Sequence, residues 1–217
     1  YPKKYEVFWK LRDGRTVLLR PIKPEDEPLW LEMFQNFSEE SIRFRFFHII
    51  KDTPHDVRVR YCNIDYDREI AIVAELNEEG RRRILGVVRV SLEPDLKTGE
   101  TAFIIADQWQ GLGLGTKMID HVIDICKDMK VETLYAIMLP DNVRAIDMTK
   151  KMGFAIKYLN DGTVRGTLDL KEEEGTVEPR ERKAAKVKEA QSQAQGQEQT
   201  QLEHKEAQTR EPVSMGR

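Results

Sequence analysis

The spacing of hydrophobic positions changes period several times along the chain, and each change marks an element. Tyr1 to Trp9 is aromatic-rich, and Thr16 to Arg20 follows it across Asp13-Gly14-Arg15, a turn signal that predicts a hairpin. Leu29, Trp30, Met33, Phe34 and Phe37 then recur at helical spacing, with Pro24, Glu25 and Asp26 suited to the first turn. Ser38 predicts the N-cap of a second helix that runs through Ile42, Phe44 and Phe46-Phe47, with Arg43 and Arg45 between them. This mixture of aromatics and arginines reads as a half-buried face with exposed guanidinium groups; the sharper alternative is one wall of an acceptor groove.

Further on the period shortens. Ile70 to Leu76 is an apolar run, a strand buried on both faces apart from Glu75. Ile84 to Leu92 returns as its antiparallel partner, and Glu100 to Ala106 makes the third strand of the meander. A glycine-rich loop opens onto a helix whose inward positions are Met118, Ile119, Val122, Ile123, Ile125, Cys126 and Met129. Thr133 to Leu139 is the next strand. Asn142 caps a helix through Met152 with Ala145, Met148 and Met152 inward, and Gly153 stands at its C-terminus. Phe154 to Tyr158 and Thr163 to Leu170 form a final hairpin around Asn160-Asp161-Gly162.

The elements add up to an α/β chain, in the mixed α+β sense, with a mostly antiparallel sheet flanked by helices. Residues 1–170 are expected to form this domain. From Lys171 the composition turns to Glu, Lys, Ala and Gln, with Gln at 191, 193, 195, 197, 199 and 201. Residues 171–217 hold too little apolar surface to offset ordering entropy, and a disordered tether is expected there. The chain opens at Tyr1 rather than Met, as expected of a piece of a longer polypeptide.

Charge removes some functions. Thirty-five basic against 38 acidic residues, interspersed, leave a net charge of −3 and no polycationic face for nucleic acid. No apolar run approaches the roughly 20 residues that span a bilayer, so no membrane role is expected. Cys62 and Cys126 stand far apart with no C-x-x-C, and His48 and His55 lack ligand spacing. Reduced thiols in a cytoplasmic protein without a metal site are the expectation.

The chemistry concentrates in Phe103 to Met118. Gly111, Gly113 and Gly115 let consecutive backbone N–H groups face one way at the start of a helix, a cradle for phosphate or pyrophosphate. A Walker A loop fails, because Lys117 follows Thr116 instead of preceding it. A dinucleotide fingerprint fails too, since Met118 or Thr116 falls where the third glycine belongs.

Gln110-x-x-Gly113-x-Gly115 resembles the acetyl-CoA signature of the GNAT acetyltransferase superfamily, and Asn142-x-x-Ala145 with Met152-Gly153-Phe154 is similar to its second signature. Arg20-Pro21-Ile22-x-Pro24-Glu25-Asp26, Phe37 to Ser41 with Arg45-Phe46-Phe47, Asp65 to Glu69 and Asp107-x-Trp109-Gln110-Gly111 resemble the GNAT domain of Pat-type protein lysine acetyltransferases. This resemblance implies the GNAT fold and acetyl-CoA as acyl donor. It implies a protein lysine as acceptor, such as one on an acyl-CoA synthetase, and a fused or associated regulatory domain. It further implies that the N–H groups of Leu112, Gly113, Leu114, Gly115 and Thr116, after Gly111, hold the pyrophosphate. The backbone of Ile104 and Ile105 would hold the pantetheine arm, with Gln110 opening the loop and Asn142 across the cleft.

The acceptor chemistry calls for a base. Glu100 matches the Pat-type general base; without the resemblance it is an ordinary charged residue at a strand start. Glu75, inside an apolar strand, is the second candidate, and Asp67 is either an acceptor contact or a turn residue. Thr149 stands where many GNATs carry a Tyr that protonates the leaving thiolate. Two other readings stay open: an acetyltransferase of small amines or amino acids, and a non-catalytic acetyl-CoA-binding sensor.

Overall fold

Eight strands share one sheet in the order β1-β2-β3-β4-β5-β6-β8-β7 in a computed structural model that describes residues 1–171. The strands are β1 (Val7–Lys10), β2 (Thr16–Pro21), β3 (Glu69–Glu78), β4 (Arg81–Leu92), β5 (Thr98–Ile105), β6 (Thr133–Met138), β7 (Ala155–Tyr158) and β8 (Val164–Asp169). All neighbours are antiparallel except β5 and β6. Short turns join β1 to β2, β3 to β4, β4 to β5 and β7 to β8, and residues 22–68 carry β2 over to β3, whereas β5 and β6 are joined through a 15-residue helix, α4 (Leu114–Asp128), the connection a parallel pair needs.

Helices cover both faces. On one, Met118, Val122, Ile125 and Cys126 of α4 are buried against Leu19, Ile70, Ile72, Leu85, Val88 and Val90. On the other, α1 (Glu27–Gln35), α2 (Glu39–Phe46) and α3 (His55–Cys62) bury Trp30, Met33, Phe34, Ile42 and Cys62 against Ala71, Val73, Val87 and Ile104. Trp30 stacks between Phe34 and Tyr61, with centroids 5.3 and 5.2 Å away. Ser38 caps α2 as its sequence predicts, its Oγ accepting from the Ser41 N–H at 3.1 Å.

Two elements depart from expectation. Helix α3 has no counterpart in the hydrophobic pattern, because His55 to Cys62 carries little apolar periodicity; it is held by packing through Tyr61 and Cys62 and by His55 and Arg58 pairing with Glu27. In α5 (Val143–Lys151) the buried residues are Ile146 and Thr149, while Ala145, Met148 and Met152 are half-buried. Ala145 and Met148 line a cleft, which leaves them partly accessible. Among the described residues no helix is long and apolar enough to cross a membrane. Of the expected tail, 171–217, all but Lys171 lies outside the described residues.

Candidate active site

Strands β5 and β6 are neighbours only where Thr98, Gly99 and Glu100 lie opposite Thr133, Leu134 and Tyr135. Beyond Glu100, β5 keeps to β4, ending with Ile105 opposite Gly86, and β6 keeps to β8. Between Thr101–Ile105 and Ala136–Met138 a wedge opens, a cavity of about 360 Å³. Glu40, Ser41, Phe44 and Arg45 of α2 line it, as do Ala145, Met148 and Thr149 of α5.

The wide end carries the glycine loop. Gly111 and Gly113 have φ of +79° and +84°, the left-handed region that a side chain strains. Gly113 is the N-cap residue of α4, and no side chain caps the helix. The N–H groups of its first turn therefore lack intrahelical partners and lie at the cavity, with Gly113, Gly115 and Thr116 among the lining residues. Two guanidinium groups flank this end: Arg12 Nη1 reaches the Gly111 carbonyl at 3.5 Å, and Arg144 Nη1 donates to Gln110 Oε1 at 3.2 Å. An uncapped helix start between two cations fits a pyrophosphate.

Gln110 and Asp107 tie the loop to its surroundings. Gln110 Nε2 donates to the Ile105 carbonyl at 3.1 Å and to Ser41 Oγ at 3.3 Å. The Asp107 carboxylate accepts from the Ser38 N–H at 2.9 Å and from the hydroxyls of Ser38 and Ser41 at 2.6 and 2.9 Å. Burial pushes this carboxyl up, but the bonds from Ser38 and Ser41 outweigh it and hold it below the usual carboxylate range. The glycine loop and α2 are thus fixed to each other.

The strand half corrects one expectation. The Ala106 N–H bonds the Leu85 carbonyl of β4, so backbone groups of alternate residues, Phe103 and Ile105, face the wedge. Ile104 turns its backbone toward β4, where its carbonyl would lie 2.8 Å from a Cβ on Gly86. Phe103, rather than Ile104, joins Ile105 as backbone facing the wedge, and Ile104 still lines the cavity. Asn142 also lines it, but its Oδ1 is used as the cap of α5, accepting from the Ala145 N–H at 3.2 Å.

Glu100 is the last residue that β5 pairs with β6, next to Thr101 at the vertex, and is not itself among the residues lining the cavity. It is exposed, and its Oε2 lies 3.4 Å from the Tyr135 hydroxyl, which donates to Glu93 at 2.8 Å. Glu75 lies elsewhere, its carboxylate accepting from Arg20 and Arg82. Burial raises its pKa, but those bonds prevail and keep it below the usual range. A carboxylate so occupied is a poor base. Asp67 occupies a turn, its N–H bonded to Asp65 Oδ1 at 3.0 Å.

The model of the acetyltransferase (GNAT) family matches residues 30–154, a span that holds the wedge, the glycine loop and both bordering helices. The chain belongs to the GNAT acetyltransferase family. It is 31% identical over 144 residues to an acetyltransferase of Pseudomonas aeruginosa, covering 66% of this chain and 77% of that protein. Among solved structures, the GNAT domain of S. lividans PAT is similar at a TM-score of 0.71 and 25% identity, over 78% of this chain and 99% of that one. A GNAT superfamily phosphinothricin acetyltransferase from Sinorhizobium meliloti, solved in complex with acetyl-CoA, shares the fold at a TM-score of 0.59 and 16% identity, over 74% and 92% of the two chains. The GNAT fold binds acetyl-CoA.

Within this GNAT site, Thr149 lines the cavity, and its hydroxyl contacts Met138 Sδ at 3.6 Å. Arg12, Arg144 and Tyr135 were not expected from the sequence: Arg12 arrives by a turn and Tyr135 by strand register, while Arg144 follows Asn142 by two residues at the start of α5. The only local signal for Arg12 is its place before the Asp13-Gly14-Arg15 turn.

Proposed function

We propose that this acetyltransferase moves the acetyl group of acetyl-CoA to a lysine of a protein by direct attack, with Glu100 as general base. The observation that carries the reading is the wedge itself, which has an uncapped, cation-flanked helix start at one end and, at the other, the exposed Glu100 next to the lining residue Thr101. The N–H groups of Leu112 to Thr116, after Gly111, hold the pyrophosphate, with Arg12 and Arg144 adding charge. The backbone of Phe103 and Ile105 lines the pantetheine arm, Gln110 fixes the loop, and Asn142 sets the start of α5 across the cleft.

Lysine is almost wholly protonated at pH 7, and removing that proton costs about 4 to 5 kcal/mol. Glu100 takes the proton, directly or through a water, as the amine nitrogen bonds to the carbonyl carbon and the carbon–sulfur bond breaks. The Ile105 N–H faces the wedge and steadies the charge that develops on oxygen. Acetyl-CoA supplies the activated thioester, whose thiol has a pKa of about 8.5 and leaves without a dedicated acid. This suits a site with Thr149 in place of a tyrosine.

Two facts support a protein acceptor. The S. lividans PAT domain is similar over nearly its whole length, and Glu100 is open to solvent, within reach of a long side chain on a large partner. An acyl-CoA synthetase, and a regulatory domain fused or associated, belong to the same proposal. Free-thiol release from acetyl-CoA with an acyl-CoA synthetase, set beside a panel of small amines, tests it. Turnover with the protein and an acetylated lysine found by mass spectrometry is expected. Turnover with small amines alone overturns the protein-lysine reading, and tight acetyl-CoA binding without turnover on any acceptor overturns catalysis.

A further inference from the structure

One arginine lines the wedge near its vertex and a second stands on β4 opposite the lining residue Ala102, both with little to neutralise them. Arg45 of α2 lines the cleft and makes no hydrogen bond or ion pair among the described residues; its guanidinium carbon lies 5.0 Å from the Phe46 ring centroid. Arg89 of β4 donates to the Tyr61 carbonyl and lies 4.9 Å over that ring, and among the described residues its one ion pair, to Glu69, is long at 3.9 Å. Burial pushes both guanidinium groups below the usual arginine range, Arg89 to about 10, where the charge of Arg45 acts in the same direction. Two like charges kept together in a half-dry site weaken the fold unless an anion joins them.

That anion is not a cofactor phosphate, because the phosphate end has its own donors in the loop, Arg12 and Arg144. The strand register puts the pair beside the base instead. Arg89 lies opposite Ala102 and Glu100 opposite Ser91, which makes Arg89 and Glu100 diagonal neighbours on one face. Arg45 lines the wedge together with Ala102, the residue opposite Arg89. An anion held by both guanidinium groups is therefore next to the acceptor amine, and a planar carboxylate matches their donor geometry.

We propose that Arg45 and Arg89 form a carboxylate-reading subsite that selects acceptor lysines flanked by an acidic residue. The inference rests on the lysine-acetyltransferase reading above. The test compares short peptides that differ only by Glu or Gln beside a single lysine, with free lysine and cadaverine as further acceptors, followed by thiol release.

The wild-type kcat/KM is expected to be at least about 10-fold higher for the Glu peptide, mainly through acceptor KM. Arg45→Gln is expected to bring the ratio near one without changing the KM for acetyl-CoA, and Arg45→Lys to restore part of it. Equal rates for the two wild-type peptides, or a preference that survives Arg45→Gln, overturn the inference alone. Free lysine outpacing both peptides, with cadaverine slow, assigns the carboxylate to a small acceptor and overturns the peptide selection. No thiol release from any acceptor, with acetyl-CoA still bound, overturns the acetyltransfer reading and this inference with it.

Discussion

Glu75 and Glu100 are both carboxylates on the central strands, yet their surroundings are opposite. Arg20, 2% exposed, donates to Asp26 at 2.6 and 2.7 Å and to Glu75 at 2.5 and 2.8 Å, while Arg82 adds a bond of 2.8 Å to Glu75. Every charge in that cluster has a partner. Among the described residues, Glu100 takes one long hydrogen bond, from a tyrosine hydroxyl at 3.4 Å, and Arg45 makes no ion pair. A saturated cluster stabilises one conformation and has nothing left to offer a ligand; an unsaturated one loses stability and keeps its charges available.

The difference can be broken or sharpened experimentally. Arg20→Ala strands Asp26 and Glu75 without their guanidinium, and denaturant unfolding is expected to show a loss of about 3–5 kcal/mol. The rate per folded molecule is expected to hold; a stable but inactive variant would break the comparison. Arg12→Ala is expected to act in the other way, raising the KM for acetyl-CoA about 10-fold, or about 1.4 kcal/mol, with unchanged unfolding. Asp107→Asn weakens the cap that fixes α2 to the loop, at about 1 kcal/mol near pH 7. Because the folded Asp107 pKa is depressed, its contribution is present above the ordinary carboxylate range and lost as pH falls through the folded value. The wild-type and Asn proteins should therefore converge in stability in acid, which parallel melts against pH would check.

Features carried by adjacent residues were legible in the sequence. Ser38 and Asn142 cap the helices they precede, and Gly111 and Gly113 adopt positive φ where the loop pattern requires it. The mixed sheet followed from period changes and turn signals. Register was not legible. Whether Ile104 or Phe103 joins Ile105 at the wedge depends on which side of β5 faces β4, and the partners of Glu75 come from β2 and β4. Helix α3 was missed because tertiary contacts, rather than apolar spacing, hold it. Arg45 was visible as a residue, but its lack of a counter-charge emerges only once α2 lies over the cleft.

The most direct measurement is kcat for Glu100→Gln beside Glu75→Gln, with saturating acetyl-CoA and a protein acceptor. Glu100→Gln is expected to lose about 100-fold or more near neutral pH, keep its affinity for acetyl-CoA, and recover as pH rises toward the lysine pKa. Glu75→Gln is expected to keep kcat and lose stability. A Glu100→Gln enzyme at the wild-type rate, beside a folded but inactive Glu75→Gln enzyme, would contradict the account.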